Sequence, residues 1–242
     1  TTKAGQKCTA IRRTIVHESM VENVIKAIST RLAGVKLGDP SIDGIRMGPL
    51  VGKSQVNDVL ANVEKLEKDA ELVYGNPKNF DIAAGDKSKG AFFPSTLLYC
   101  DKPFDTDAPH TIEAFGPVNT VMPYSSVDEA IELTRLGRGS LVGSLFTSSD
   151  LVARDVILGT ASHHGRIMVI DQSSAKASTG HGSPLPGLVH GGPGRAGGGE
   201  ELGGARSVTH YMQRTALQGS PTTLTHATNE WIKGAAQPTD RI

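Results

Sequence analysis

The sequence predicts an α/β domain built on a mainly parallel sheet covered by helices, with one late strand set apart from the rest. Three observations carry this. Short β-branched runs alternate with segments of helical period from Arg12 to Asp171. The pattern S-x-x-E opens two of the helical segments, at Ser19 and Ser126. At Ser173 the composition turns to Gly, Ser and Pro, which cannot make a core of its own and must drape over the domain.

Taken in order, Arg12 to His17, with Ile15 and Val16, reads as the first strand. Ser19 and Glu22 then form a capping box that satisfies free amides at a helix start. Val21, Val24, Ile25, Ile28 and Leu32 follow at helical spacing, and Gly34 suits the stop. A second helix fits Ser54 to Lys68, with Val56, Val59, Leu60, Val63 and Leu66 on one face. Ala70 to Tyr74 is a short strand. Asn76 to Gly90 is polar and reads as an exposed, mobile loop. Ser95 to Cys100 and Val118 to Pro123 are strands, and the second capping box starts a helix through Leu136. Leu141 to Thr147 is a strand, Asp150 to Thr160 a helix and Arg166 to Asp171 a strand. Strand character returns from Ser207 to Leu217. From Ser220 onward the chain is polar and reads as a tail or linker. No internal repeat is present.

Composition narrows the function. Lys plus Arg number 25 and so do Asp plus Glu, so nothing electrostatic favours nucleic acid or an anionic membrane. No apolar run approaches the roughly 18 residues that a membrane span needs. The two cysteines, Cys8 and Cys100, make no disulfide framework and point to a cytoplasmic setting.

The residues that bear chemistry start at Cys8, in Gly5-Gln6-Lys7-Cys8-Thr9-Ala10 at the mouth of the first strand. A cysteine there can present its sulfur to a ligand, although a lone cysteine is more often a small buried residue. Two further segments accompany it, Met47-Gly48-Pro49-Leu50 and Glu113-Ala114-Phe115-Gly116-Pro117-Val118. Together they resemble the aldehyde dehydrogenase superfamily, whose nucleophile segment reads G-Q-x-C, whose second signature reads E-x-F-G-P-V, and which carries an M-G-P-L block between them. The three occur in the family's order and at about its spacings, and the resemblance runs from Thr1 to about Ser220.

The resemblance implies roles. Cys8 would be the catalytic nucleophile, attacking an aldehyde carbon to give a thiohemiacetal and, after hydride loss to NADP or NAD, a thioester. Its backbone N–H would donate to the oxyanion. Glu113 would hold the nicotinamide ribose and Phe115 would pack near the nicotinamide. Outside this motif Glu113 reads as a solvated carboxylate and Phe115 as a core ring. The family's glycine-rich cofactor fold, its catalytic glutamate and its oxyanion side-chain amide lie N-terminal to the nucleophile. The expectation is therefore an excised catalytic domain, inactive alone, over residues 1–204, an oligomerisation strand over 205–219 that joins a homo-oligomer, and a tail over 220–242.

A narrower likeness is present. Asp171 stands where the family has asparagine. The usual P-F-G-G-x-K-x-S-G block is replaced by the run from His190 to Glu200, and Thr209 to Gly219 follows. This is similar to the bifunctional phenylacetate-degradation branch, in which the dehydrogenase is fused to an enoyl-CoA hydratase-like domain and oxidises a CoA-linked semialdehyde. Two alternatives stay open: a CoA-acylating dehydrogenase, and a non-catalytic folding and assembly module.

Other features point away from function. Gly192-x-Gly194-x-x-Gly197 satisfies the dinucleotide fingerprint but sits inside a Gly-Pro loop rather than between strand and helix. His163, His164, His181 and His190 lack ligand spacing and read as loop and surface residues, so no metal is expected. Cys100 reads as structural.

Overall fold

The computed structural model describes residues 1–178, 180–182, 191–197 and 212–236. The chain divides into two compact units, Thr1–Ser126 and Val127–Ile242. The described strands form one sheet in each unit, and the α/β character with mainly parallel pairing expected from sequence holds in both. Among the described residues all strand pairs are parallel except one.

In the first unit, β1 (Arg13–His17), β2 (Glu71–Tyr74), β3 (Thr96–Tyr99) and β4 (Val118–Tyr124) form a sheet in the order β1-β4-β3-β2. Only β2 runs antiparallel, at the edge. Side chains alternate across this sheet. Val16, Leu97 and Val121 pack with Val24, Ile25 and Ile28 of α1 (Val21–Ala33). Leu98, Cys100, Val118 and Met122 point to the other core, with Val59, Val63 and Leu66 of α2 (Lys53–Leu66). A helix thus packs with each face of the sheet. Met47 and Leu50 are buried in the α2-side core.

Two local expectations change here. The capping box at Ser19 does not form. Glu18–Met20 make a 3-10 turn, Met20 occupies the N-cap without a side-chain bond, and the Ser19 hydroxyl lies 2.8 Å from His17 Nδ1. The turn moves Ser19 out of capping position. The polar loop over 76–90 is tied down rather than loose. Ala83 N donates to Leu37 O (2.7 Å), Asp39 N donates to Ala84 O (3.0 Å), and Phe80 and Ile82 pack against the core. A short helix that the sequence pattern did not reveal, α3 (Ala108–Thr111), precedes the 113–118 segment.

The second unit holds α4 (Val127–Arg135), β5 (Ser140–Phe146), α5 (Asp150–Thr160), β6 (His164–Ile170), β7 (Ala216–Gln218) and α6 (Pro221–Thr228). The sheet order is β5-β6-β7, all parallel. Ala153 and Ile157 of α5 meet Ile167 and Val169 of β6 and Ala227 of α6. Within the span expected as an oligomerisation strand, 205–211 lie outside the described residues, and Ala216–Gln218 pair with β6 of the same chain. Residues 220–242, expected as a tail or linker, instead begin with a helix. Ser220 caps it by accepting from Thr223 N (3.2 Å), Pro221 fits its first turn, and Asn229 ends it in the left-handed region. Thr223 Oγ1 donates to the buried carboxylate of Asp150 (3.1 Å).

His164 is also not a surface residue. It is buried on β6, with Nδ1 3.0 Å from Thr160 O, and its ring fills the space over Gly143. His190 lies outside the described residues. Within the Gly-rich stretch, residues 191–194 lie backbone to backbone on their neighbours. A Cβ on Gly165 would stand 1.6 Å from Gly191 O. Gly194–Ala196 form a 3-10 turn. Gly192 and Gly194 serve close chain approach, with a Cβ standing 2.6 Å from Ser140 O and 2.3 Å from Arg138 O, whereas Gly197 meets nothing within 4 Å and holds φ at +81°. Among the described residues no helix is long and apolar enough to cross a membrane, and no group of three His, Cys, Asp or Glu could hold a metal ion.

Candidate active site

The chain enters the site through strained backbone. Lys3 (φ 52°), Ala4 (φ 51°) and Gly5 (φ 70°) are consecutive left-handed residues, and for Lys3 and Ala4 this costs about 1–2 kcal/mol each. Strain of this kind persists only where surroundings fix it, and it concentrates at functional segments. Here Gly5 lies directly on the Gly116–Pro117 peptide, so close that a Cβ would stand 2.1 Å from Gly116 O. Gly116 in turn lies against α2, where a Cβ would come within 2.9 Å of Val59 Cγ1. Two segments more than a hundred residues apart are thus pressed together through glycine backbone.

Beyond Gly5, Gln6 Oε1 accepts from Val51 N (2.9 Å), which ties the cysteine segment to the end of the 47–50 block. Met47 and Leu50 are core residues, so that block supports the site rather than lining it. Cys8 occupies the second position of a β-turn closed by Ala10 N donating to Lys7 O (2.9 Å). It is exposed, and Thr9 beside it is buried. Cys100, by contrast, is fully buried, and burial pushes its thiol pKa up. No disulfide joins the two.

Glu113 and Phe115 lie on the segment that Gly5 touches. Glu113 is exposed and Phe115 half-buried. Their backbone is held from α2. Gln55 Nε2 donates to Phe115 O (3.0 Å) and Asn62 Nδ2 donates to Glu113 O (3.4 Å). Gln55, Val59 and Asn62 recur at helical spacing and form one stripe facing residues 113–116. That spacing was the available signal for Gln55 and Asn62, and the apolar count along α2 passed over it.

The centre of the arrangement is Arg12, which the sequence pattern marked only as the start of a strand. Its Nη2 forms an ion pair with Glu113 Oε1 (2.7 Å) and donates to Lys7 O (3.3 Å). Its Nη1 donates to Ala114 O (3.1 Å), and the guanidinium lies 5.1 Å from the centre of the Phe115 ring. The next residue, Arg13, reaches the other way, with Nη1 3.2 Å from His110 Nδ1. His110 is buried. Burial lowers its pKa, against a hydrogen bond to Pro103 O at 2.7 Å that favours the proton. The structure therefore brings Cys8's segment, Glu113 and Phe115 into one cluster.

Comparison with known proteins gives the family. The aldehyde dehydrogenase family model matches residues 1–216. A protein named MaoC from Klebsiella aerogenes is 55% identical over 197 residues, covering 81% of this chain and 57% of that protein. The 3,4-dehydroadipyl-CoA semialdehyde dehydrogenase of Aromatoleum evansii is 40% identical over 193 residues, covering 80% of this chain and 38% of that one. Among solved structures, an oxidoreductase from Marinobacter aquaeolei superposes with a TM-score of 0.66 at 25% identity, over 86% of this chain and 39% of that chain. The chain thus spans little more than half the length of one curated relative and well under half of the other. With its cysteine turn and its 113–118 segment in register, and with a family match over 216 of 242 residues, the chain belongs to the aldehyde dehydrogenase family.

Proposed function

We propose that the chain supplies the nucleophile and part of the nicotinamide site of a cytoplasmic, homo-oligomeric enzyme that oxidises a CoA-linked semialdehyde to the acid. The observation that carries this is the contact of Gly5 with Gly116, which sets the Cys8 turn against the segment bearing Glu113 and Phe115. The substrate class follows from the 40% identity to a relative named for a CoA semialdehyde.

The thiolate of Cys8 adds to the aldehyde carbon, and the carbonyl π pair moves to oxygen. The N–H of Cys8 donates to that oxygen. Departure of the aldehydic hydrogen as hydride re-forms the carbonyl as a thioester on Cys8, and hydrolysis of the C–S bond returns the thiol and the acid. NADP or NAD, when bound, supplies the hydride acceptor. The residues present fit a nicotinamide ribose. Glu113 keeps a side chain 44% exposed although it is paired with Arg12, so hydroxyls can still reach it, and Phe115 offers a half-buried ring two residues on.

The test is to assay the full enzyme with a CoA-linked semialdehyde and each nicotinamide dinucleotide, reading reduced cofactor by absorbance. Reduction that requires Cys8 is the expected result. No reduction with either dinucleotide, or reduction undiminished in Cys8→Ala, overturns the reading. Light scattering on the same preparation measures assembly, and a monomer would refute the homo-oligomer.

A further inference from the structure

We propose that Arg12 is a positioning residue that aims the oxyanion donor and the cofactor-binding carboxylate together. This rests on the proposed roles of Cys8 and Glu113.

The argument begins with the Lys7–Cys8 peptide. Its six atoms are coplanar, with N–H and C=O pointing in opposite directions. Fixing the carbonyl therefore fixes the direction of the Cys8 N–H. Lys7 O accepts from two donors, Ala10 N at 2.9 Å and Arg12 Nη2 at 3.3 Å. Charge drawn toward that oxygen also polarises the N–H at the other end of the peptide, making it a better donor. The guanidinium is rigid and planar, so its remaining bonds are set by the same orientation. Nη2 also meets Glu113 Oε1 at 2.7 Å and Nη1 meets Ala114 O at 3.1 Å, while the plane stands near Phe115. One side chain thus indexes the peptide beside the sulfur against the carboxylate and ring of the cofactor segment. The backbone of Arg12 is itself anchored, since Thr120 N donates to Arg12 O at 2.8 Å.

Two readouts on the full enzyme separate the two arms. The first is the burst of phenolate when an activated phenyl ester acylates Cys8. The thiolate adds to the ester carbonyl, the tetrahedral oxyanion collapses, and the C–O bond to phenolate breaks. This step uses the nucleophile and the oxyanion donor without a hydride acceptor. The second is KM for the nicotinamide dinucleotide in aldehyde oxidation.

Arg12→Met is expected to slow the burst about 10-fold or more and to raise the cofactor KM. Arg12→Lys is expected to recover the cofactor KM, since a point charge can still sit beside Glu113, while the burst stays slow, since an ammonium cannot hold carbonyl and carboxylate in a fixed fork. A merely structural role would not split the readouts in this way. An unchanged burst in Arg12→Met overturns the proposal, as does rescue of both readouts by Arg12→Lys. If Arg12→Met does not fold, the Arg12→Lys split alone decides. The underlying reading is tested apart from this, because a burst that survives in Cys8→Ala refutes the nucleophile assignment whatever Arg12 does.

Discussion

The carbonyl oxygen of Gly116 lies where a Cβ on Gly5 would come within 2.1 Å of it. Gly5 also has φ at +70°, so an alanine there meets a collision with backbone and a disfavoured dihedral at once. Gly5→Ala should destabilise the first unit by at least about 2 kcal/mol. In the full enzyme it should also lower aldehyde oxidation, because the Cys8 turn follows within three residues. Denaturant melts with steady-state kinetics check both, and unchanged melts would show that the two segments are not pressed together.

The two cysteines differ in exposure, and alkylation reads this on the chain itself. Cys8 is exposed, whereas Cys100 is fully buried with its thiol pKa raised, chiefly by burial. Iodoacetamide near neutral pH should modify Cys8 at least about 10-fold faster, since the thiolate is the reactive form and must be reachable. Peptide mapping of the labelled chain gives the ratio. Comparable rates would mean that the Cys8 turn is closed off in solution.

Glu113→Gln removes the negative charge opposite Arg12. If the carboxylate holds the ribose, hydride transfer in the full enzyme should slow by about 10-fold or more through poorer nicotinamide placement. Single-turnover formation of reduced cofactor isolates that step. A hydride step at the parent rate would leave Glu113 as the ion-pair partner of Arg12 with no part in holding the cofactor.

His110 sets a pH dependence. Its folded pKa is lowered from 6.5, chiefly by burial, so the unfolded chain binds the proton more readily. Stability from this group is present above about pH 6.5 and is lost as pH falls below it toward the folded pKa. The first unit should therefore weaken between neutral and mildly acid pH, and His110→Gln should flatten that part of the profile. A profile of the same slope in His110→Gln would assign the dependence elsewhere.

In the second unit the capping bond of α6 is open to a direct test. Ser220→Ala removes the acceptor for Thr223 N and should cost about 1 kcal/mol. Loss of helical circular dichroism at lower denaturant would register it. No change in midpoint would mean that the helix does not need its cap.

The sequence by itself determined most of the strands and helices and which three segments carry the family resemblance. Those properties are local: the helical period of Val59, Val63 and Leu66, or the order Gly5-Gln6-Lys7-Cys8, is readable within a few residues. Asp150–Thr160 was placed residue for residue because Ser149 and the apolar spacing after it act inside one helix. Where a local signal existed but was masked by polar composition, as with Ser220-Pro221 before α6, the element was passed over. The tertiary structure alone decided what depends on strand pairing. Parallel pairing in the register Arg13 with Thr120 sets the backbone of Arg12 beside the start of β4, from where its side chain reaches Glu113 and Ala114, and nothing near Arg12 in the chain announces a partner 102 residues away. The same holds for the burial of His164 over Gly143 and for the separation of two sheets at Ser126. Side-chain type and period set what an element is. Which elements lie side by side is set by packing summed over the whole unit, and so is the geometry that joins Cys8's turn to Glu113 through one guanidinium.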